Sequence, residues 1–351
     1  MTYSFKMRRR RALQLLAGAS GAALLHSCGS NTSSGGNGSA SSDSSELTMS
    51  LAVGSVPWIG QVPVYIAIEK GFYIEEGLDF TLNLFSSNGE YLSAFLSGQL
   101  NAISPVSSEA VLLRSQGKDY KIVLVQDNSV GGDGILAKDS IESIEDFKGQ
   151  KIAVDTAGVS YFFLLQVLKE AGLTKDDFTA VNTDSAAAAA AFQSGNVDVA
   201  VSYAPFLQQA ADAVEDGRII YDSSSMPTAI IDLYIFDTTF VEENPETVQA
   251  FVNATLRGLE FLETNREEAL AIAAEELEVT PEELASDLEG VTLPDVETNL
   301  KMLADPSDDL YLEQPMEDLS KFLSAEGQIE SEVSGFPELF DPQFVQAYAS
   351  K

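Results

Sequence analysis

The sequence predicts an α/β protein of two lobes, each built on a mostly parallel sheet flanked by helices, and hinged around a cleft. Short apolar runs alternate with helix-length segments, a pattern typical of parallel sheets. One arrangement also occurs twice. Residues 94–101 (AFLSGQLN) and 191–198 (AFQSGNVD) each indicate a helix end, a glycine cap and a following strand.

Each repeated segment belongs to a strand-helix-strand-helix-strand unit. In the first unit the earlier strands are predicted at 51–53 and 82–85, and in the second at 152–154 and 178–181. An apolar run at 229–236 then carries the chain back to the first lobe.

The remainder of the chain, 244–351, is predicted to be a mostly helical tail on the first lobe. Asn244-Pro245-Glu246 and Thr280-Pro281-Glu282-Glu283 have the features of helix starts: a capping residue, proline at the first helical position and early carboxylates. We therefore assign residues 47–130 and 230–351 to lobe 1, and residues 131–229 to lobe 2.

The N-terminus has the features of an export signal. Four arginines at 8–11 precede an apolar stretch too short to span a bilayer, and Leu25-His26-Ser27-Cys28 resembles a lipobox. Residues 1–27 are predicted to be a signal peptide, and Cys28 is predicted to be lipidated and to anchor the exported protein to a membrane. The alternative is an ordinary signal peptide with a cysteine near the cut. The Ser/Gly-rich residues 28–46 are predicted to be a flexible tether.

The charge of the chain limits its partners. Removing the leader takes away five of the 20 basic residues and none of the 54 acidic ones, which leaves 15 against 54 and a formal charge of −39. Nucleic acid is excluded as a natural partner, because its phosphates would be repelled. We interpret most of the carboxylates as a solvated coat.

The predicted cleft lies outside the carboxyl ends of the parallel strands. Trp58, the only tryptophan of the chain, lies in a Pro/Gly loop there and is either a stacking wall for a ligand or a buried lobe anchor. Thr156, Val159 and Ser160 open a helix whose N–H groups could receive a polar ligand end. The alternative is a simple helix cap at Thr156 or Ser160.

Acidic side chains outnumber basic ones in the predicted cleft loops. Asp133, Asp184 and Asp232 fall at hinges or strand ends, while the six loops at the strand ends contain no Lys or Arg. This disfavours a small inorganic anion and favours an amine or a neutral heterocycle as solute. Each aspartate could instead be a cap or turn residue. The spacing of Asp127, Ser129 and Asp133 lacks the glycine and glutamate of an EF-hand, so we expect no metal site.

Several motifs together are similar to those of one known family. They are Trp58-Ile59-Gly60, the segment 65–73 (YIAIEKGFY), Glu76-Gly77-Leu78, the segment 158–164 (GVSYFFL) and the paired Phe-x-Ser-Gly sequences. On these residues the chain resembles the solute-binding proteins of ABC importers, in the subgroup for aliphatic sulfonates, taurine, nitrate and thiamine-pyrimidine precursors.

The resemblance implies a periplasmic-binding-protein fold of type II that closes on a solute. By position it implies a ligand site lined by Trp58, Ser86, Ser87, Asn88, Thr156, Val159, Ser160, Tyr161, Tyr203 and Asp232. The absence of basic residues in these loops makes nitrate recognition doubtful.

The resemblance also implies a function and a set of partners. The protein would be a monomer that delivers its solute to an ABC permease and its ATPase, without a cofactor and without catalysis. The alternatives are a surface solute sensor that acts without a transporter, and an enzyme on the same fold such as a thiamine-pyrimidine synthase. The family chemistry of that enzyme needs histidines and a cysteine cluster, and the chain has neither after Cys28.

Overall fold

A computed structural model of the protein describes residues 3–4, 49–226 and 229–351. Apart from residues 3–4, the predicted signal peptide, Cys28 and the predicted tether lie outside the described residues. The signal peptide, the lipidation and the flexibility of the tether therefore stay predictions.

The strands and helices alternate through the first two thirds of the described chain. The strands are β1 (Tyr3–Ser4), β2 (Met49–Ser55), β3 (Leu78–Leu84), β4 (Ala102–Ile103), β5 (Tyr120–Ser129), β6 (Asp133–Lys138), β7 (Lys151–Val154), β8 (Thr179–Asn182), β9 (Val199–Tyr203), β10 (Gly217–Asp222), β11 (Ile231–Asp237) and β12 (Val291–Thr292). The helices are α1 (Val62–Glu69), α2 (Phe72–Glu75), α3 (Asn88–Leu96), α4 (Ser107–Ser115), α5 (Val159–Glu170), α6 (Ser185–Gln193), α7 (Phe206–Asp212), α8 (Thr238–Glu243), α9 (Pro245–Thr264), α10 (Arg266–Leu277), α11 (Pro281–Asp287), α12 (Val296–Ala304), α13 (Glu313–Ala325) and α14 (Gln343–Ala349).

Two sheets organise the described strands. The first has the order β1-β3-β2-β4-β11-β5-β12, and the second has the order β10-β6-β9-β7-β8. We call each sheet with its helices the first lobe and the second lobe. The predicted α/β fold with two sheets flanked by helices is confirmed.

Both sheets are mixed, with a parallel centre of three strands. In the first lobe β3, β2 and β4 are parallel, and in the second lobe β8, β7 and β9 are parallel. The other strands pair antiparallel, because the chain leaves the first lobe along β5 and returns along β11 beside it. Alternation along the sequence predicts the parallel centres, while these returning strands add the antiparallel pairs.

Among the described residues, the chain crosses between the lobes at residues 130–132 and at residues 223–226 and 229–230. Ser223 ties the two crossings together: its Oγ lies 2.8 Å from the Oγ of Ser129 and accepts a hydrogen bond of 2.7 Å from the backbone N–H of Gly131. The assignment of these crossings as hinges between the lobes stays a prediction.

The tail packs on the first lobe. Leu312, Met316, Phe344 and Val345 are buried in the same apolar core as the strands of that lobe. Helix α11 begins at the predicted capping residue, because Thr280 Oγ1 accepts from the backbone N–H of Glu283 (3.2 Å) and the Glu283 carboxylate accepts from the backbone N–H of Thr280 (2.7 Å).

The two lobes are in direct contact at their facing edges. Phe162, Tyr203 and Ala204 of the second lobe are buried in the core of the first. A methyl group added at Gly158, before α5, would lie 2.8 Å from the Cβ of Asn88 in α3. The structure is therefore a closed arrangement of the two lobes.

Candidate functional site

A small cavity lies between the lobes at the carboxyl ends of the parallel strands. Its volume is about 20 Å3, little more than a single water molecule requires. The residues that line it are Ser55, Val56, Trp58, Asn88, Tyr91, Ser104, Val106, Asp133, Val159, Tyr203, Ile230 and Asp232. Both lobes contribute lining residues. The cavity therefore lies where α/β folds usually bind ligands, at the carboxyl ends of the parallel strands.

Trp58 forms the aromatic wall of the cavity. Its indole Nε1 donates a hydrogen bond of 2.9 Å to Asp127 Oδ2, and its ring meets Tyr203 of the second lobe edge to face at a centroid distance of 5.6 Å. Gly60 permits this geometry, because a Cβ there would lie 1.8 Å from Asp127 Oδ2. Trp58 is therefore a buried anchor of the first lobe, and its role as a stacking wall for a ligand stays a prediction.

A buried hydrogen-bond network supports the first-lobe side of the cavity. Gln61 Nε2 donates to Ser55 Oγ (2.7 Å) and Ser104 Oγ (2.9 Å), and its Oε1 accepts from Tyr234 OH (2.9 Å). Gln126 Nε2 continues the network with a hydrogen bond of 3.0 Å to Asp127 Oδ2. These contacts hold Asp127 and the cavity-lining serines in defined positions.

Three aspartates converge on the crossing between the lobes. Asp127 on β5 and Asp232 on β11 are direct partners across an antiparallel ladder, and Asp133 begins β6. All three side chains are at most 7 % exposed. Within the described chain, neither Asp127 Oδ1 nor Asp133 Oδ2 has a hydrogen-bond partner.

Burial shifts the pKa values of these carboxyls upward. Desolvation raises the pKa of Asp127 and of Asp133 to about 7, against smaller opposing effects of hydrogen bonds from Trp58 and Gln126 to Asp127 and of the hydrogen bond with Ser129 at Asp133. Desolvation, reinforced by the charges of Asp127, Asp133 and Glu109, also raises the pKa of Asp232 well above its usual range.

A fourth buried carboxyl, Glu109, lies at the start of α4. It accepts hydrogen bonds from Asn88 Nδ2 (2.7 Å), from Tyr91 OH and from the backbone N–H of Val106 (3.2 Å). Burial raises its pKa to about 7 despite these donors. Glu109 thereby fixes Asn88 and Tyr91, two side chains that line the cavity.

Asp155 makes a polar contact between the lobes. Its Oδ1 accepts from the backbone N–H of Ala157 at 3.0 Å. Desolvation raises its pKa, and the backbone N–H groups of Ala157 and of Asn88 in the opposite lobe lower it. A carboxylate of the protein thus faces the N-terminus of α3.

The structure brings six of the twelve predicted ligand residues to the cavity. Those that line it are Trp58, Asn88, Asp133, Val159, Tyr203 and Asp232. Those that do not are Ser86, Ser87, Thr156, Ser160, Tyr161 and Asp184. The ligand role of all twelve stays a prediction.

The six residues away from the cavity have local contacts or local places in the fold. Thr156 Oγ1 donates to Asn182 Oδ1 (2.8 Å), and the backbone N–H of Ser86 donates to Glu90 (3.1 Å). The Oγ of Ser160 lies 3.5 Å from that of Ser185. Asp184 caps α6 by accepting from the backbone N–H of Ala187 (2.8 Å).

Neither Thr156 nor Ser160 caps α5, because Gly158 occupies that position. Ser87 precedes α3 without a side-chain capping bond, and Tyr161 packs half-buried between the two cores.

Sequence reasoning missed Glu109, Gln61 and Tyr91. Glu109 has the spacing of an ordinary capping-box acid at a helix start, and Gln61 stands in an apolar run. The available signal is a single polar residue inside an apolar segment, which indicates a buried hydrogen-bond network. The sequence spacing places Asp127 in an incomplete cation loop, whereas the structure places it against Trp58.

Two further properties apply to the described part of the chain. Among residues 49–226 and 229–351, no group of three or more His, Cys, Asp or Glu side chains is arranged to hold a metal ion. In the same part of the molecule, no helix has the length and apolarity needed to cross a membrane.

The two lobes with a cavity between them are typical of the periplasmic-binding-protein fold, and comparison with known proteins agrees on that fold. The chain belongs to the NMT1/THI5-like family, whose profile matches residues 58–269. The family predicted from the sequence motifs is thereby confirmed.

A curated relative and a solved structure illustrate the similarity. The taurine-binding periplasmic protein of Escherichia coli (strain K12) is 28% identical over 194 residues, which cover 54% of this chain and 59% of that protein. The chain therefore matches less than two thirds of the length of that relative. The alkanesulfonate-binding protein SsuA from Xanthomonas axonopodis pv. citri, bound to MOPS, superposes with a TM-score of 0.68 at 16% identity over 84% of this chain and 98% of that one.

One similar structure belongs to an enzyme. The desulfurization enzyme DSZB superposes with a TM-score of 0.62 at 16% identity, over 86% of this chain and 99% of that chain. At this identity the likeness concerns the fold alone, because unrelated functions recur on one fold.

Proposed function

We propose that this protein is the extracytoplasmic solute-binding component of an ABC importer. As a monomer it captures a small nitrogen- or sulfur-containing organic solute between its lobes and delivers it to the permease and its ATPase. The observation that carries this proposal is the cavity enclosed by both lobes, with an aromatic wall and polar groups at the strand ends. Membership in a family with periplasmic binding proteins supports it.

Opening of the lobes is part of the proposal. A cavity of about 20 Å3 admits no organic solute, so the lobes must separate before binding. The proposed hinges are the crossings at residues 130–132 and at residues 223–226 and 229–230. Residues 47–130 and 230–351 would move against residues 131–229. Closure would bring Tyr203 against Trp58, as the closed arrangement has them.

Transport tests this function directly. We expect the solute-loaded protein to stimulate ATP hydrolysis by its cognate permease-ATPase in liposomes, and deletion of its gene to abolish uptake of that solute. Solute binding without either effect would favour a transporter-independent surface sensor.

We also propose export and anchoring through Cys28. The support is the arginine-rich leader and the lipobox-like segment 25–28. Replacement of Cys28 by Ala should move the exported protein from the membrane fraction to the soluble fraction without changing solute affinity. Retention of the variant in the membrane would contradict anchoring by Cys28.

The proposed protein releases its solute unaltered. Beyond residue 28 the sequence contains neither His nor Cys, so a histidine general base and a thiol nucleophile are absent there. Mass spectrometry of solute recovered after prolonged incubation should return the starting compound quantitatively. A product formed in proportion to protein concentration would support the enzyme alternative.

A further inference from the structure

The cavity contains an acceptor that no group of the described chain satisfies. Asp133 lines the cavity, is 3 % exposed and has no donor to its Oδ2. A buried carboxylate oxygen without a partner is destabilising, because the hydrogen bonds lost with water are not replaced. An N–H group of a ligand would supply the missing donor.

The charges around Asp133 are all of one sign. Asp232 lines the same cavity, and it lies directly opposite Asp127 on the neighbouring antiparallel strand. Like charges in such opposed positions repel each other. None of the described residues that line the cavity is Lys or Arg. Only a proton or a bound cation can relieve this repulsion.

Two donor groups that an anionic solute could use are already engaged by carboxylates of the protein. The Asn88 side chain donates to Glu109 (2.7 Å), and Asp155 faces the N-terminus of α3. The positive end of that helix is therefore neutralised by a carboxylate of the protein. A sulfonate in this cavity would also lie beside the unpartnered Asp133 Oδ2.

Two observations distinguish an organic cation from a metal ion. The described residues contain no group of acidic or histidine side chains arranged to hold a metal. The cavity is also bounded by Trp58 and Tyr203, whose rings are in edge-to-face contact and suit the apolar and cationic parts of an organic solute.

We propose that the solute is a protonated amine or amidine, whose N–H groups donate to Asp133 and Asp232 and whose apolar part packs on Trp58 and Tyr203. The proposal rests on the proposed solute-binding function and assigns the substrate class of that site. The requirement for N–H donors excludes a quaternary ammonium ion, because it could not satisfy Asp133 Oδ2.

Three matched two-carbon compounds test the proposal with the full-length purified protein. Ethanolamine carries the amine alone, isethionate carries the sulfonate alone, and taurine carries both. Because Trp58 is the only tryptophan of the chain, its fluorescence reports events at the cavity, and the melting temperature gives a second reading. We expect ethanolamine and simple alkylguanidines to shift both signals with concentration, and isethionate and choline to shift neither.

Two variants connect the signal to the site. Asp133→Asn should weaken amine binding by about tenfold to a hundredfold, since it removes a charged hydrogen-bond acceptor. Asp232→Asn should weaken it as well, and serves if the first variant does not fold. Asp176→Asn, at an exposed position in the second lobe, is the matched control and should bind as the unchanged protein does.

The outcomes separate this inference from the proposed function. Binding of isethionate without binding of amines overturns the inference while the importer proposal stands. Amine binding that is unchanged in both aspartate variants also overturns the inference. So does the absence of any fluorescence or melting-temperature shift with every amine. Asp133-dependent amine binding without stimulation of the ATPase supports the inference and contradicts the importer.

Discussion

In the first lobe the parallel strands have the order β3-β2-β4, and in the second lobe the corresponding strands have the order β8-β7-β9. An antiparallel strand joins the last of each set, β11 against β4 and β6 against β9. The repeated sequence segments fall at the same place in both: Gly98 and Gly195 end α3 and α6 with φ of 73° and 72°. This left-handed conformation favours glycine.

The lobes differ in what they present at the cleft. The first lobe supplies Trp58 and three buried carboxyls, Glu109, Asp127 and Asp232. The second supplies Tyr203 as the aromatic partner of Trp58, and the carboxyl of Asp133 where the chain enters its sheet. The repeated scaffold therefore decides where the cavity lies, and residues that are not repeated decide its chemistry.

The largest expected contrast is in pH dependence. Asp127 and Glu109 ionise near their usual pKa of about 4 in the unfolded chain and near 7 in the folded one, so the folded state holds more protons between these values. Their contribution to the free energy of unfolding is complete below pH 4 and is lost as the pH rises through 7, on the order of a few kcal/mol per group.

Hydrogen exchange at several pH values measures this effect lobe by lobe. Between pH 7 and 5 the unliganded first lobe should gain more protection than the second. The carboxyls that face the cleft from the packed elements are Glu109, Asp127, Asp133, Asp155 and Asp232, and Tyr91 and Tyr203 stay protonated throughout. Asp232→Asn should reduce the change of first-lobe protection with pH. If that change is the same in the variant, groups other than these cleft carboxyls cause it.

Gly60→Ala should be the most destabilising single change at the aromatic wall. The new Cβ would lie 1.8 Å from Asp127 Oδ2 and 2.5 Å from Trp58 Nε1, and so would break the hydrogen bond between them. We expect a loss of about 2–4 kcal/mol in the free energy of unfolding, measured with denaturant. In an Asp127→Ala background the same change should cost less, and additive effects would contradict the assigned clash.

Gly158→Ala tests the corresponding contact between the lobes. Its Cβ would meet Asn88 of the opposite lobe at 2.8 Å, and separation of the lobes relieves that clash. We expect the free energy of unfolding to change by less than about 1 kcal/mol and solute affinity to fall about tenfold. Small-angle scattering should find the variant more open than the unchanged protein. A loss of stability as large as that of Gly60→Ala would contradict this assignment.

The smallest expected effect concerns Asp184. Asp184→Ala removes the cap of α6 and should lower the free energy of unfolding by about 1 kcal/mol, with solute affinity unchanged. Asp184→Asn keeps a capping acceptor and should restore most of that stability. If both variants bind solute weakly, Asp184 is a ligand residue as the sequence predicts.

Most of the scaffold could be predicted from the sequence. The run 152–154 lies within β7 (Lys151–Val154), and the predicted starts at Asn244 and Thr280 agree with α9 and α11. These features depend on neighbours close along the chain: alternation of apolar segments, proline at the first helical position, and a glycine that ends a helix. Such local features form without help from segments that are distant in the sequence.

The cavity chemistry was decided only by the tertiary structure. With 54 acidic residues, nothing local distinguishes Asp127 and Glu109 from those of the solvated coat. Trp58 and Asp127 stand 69 positions apart and are brought together by the packing of the first lobe. Burial by distant segments removes the water that would otherwise hydrate these carboxyls, and this desolvation raises their pKa values.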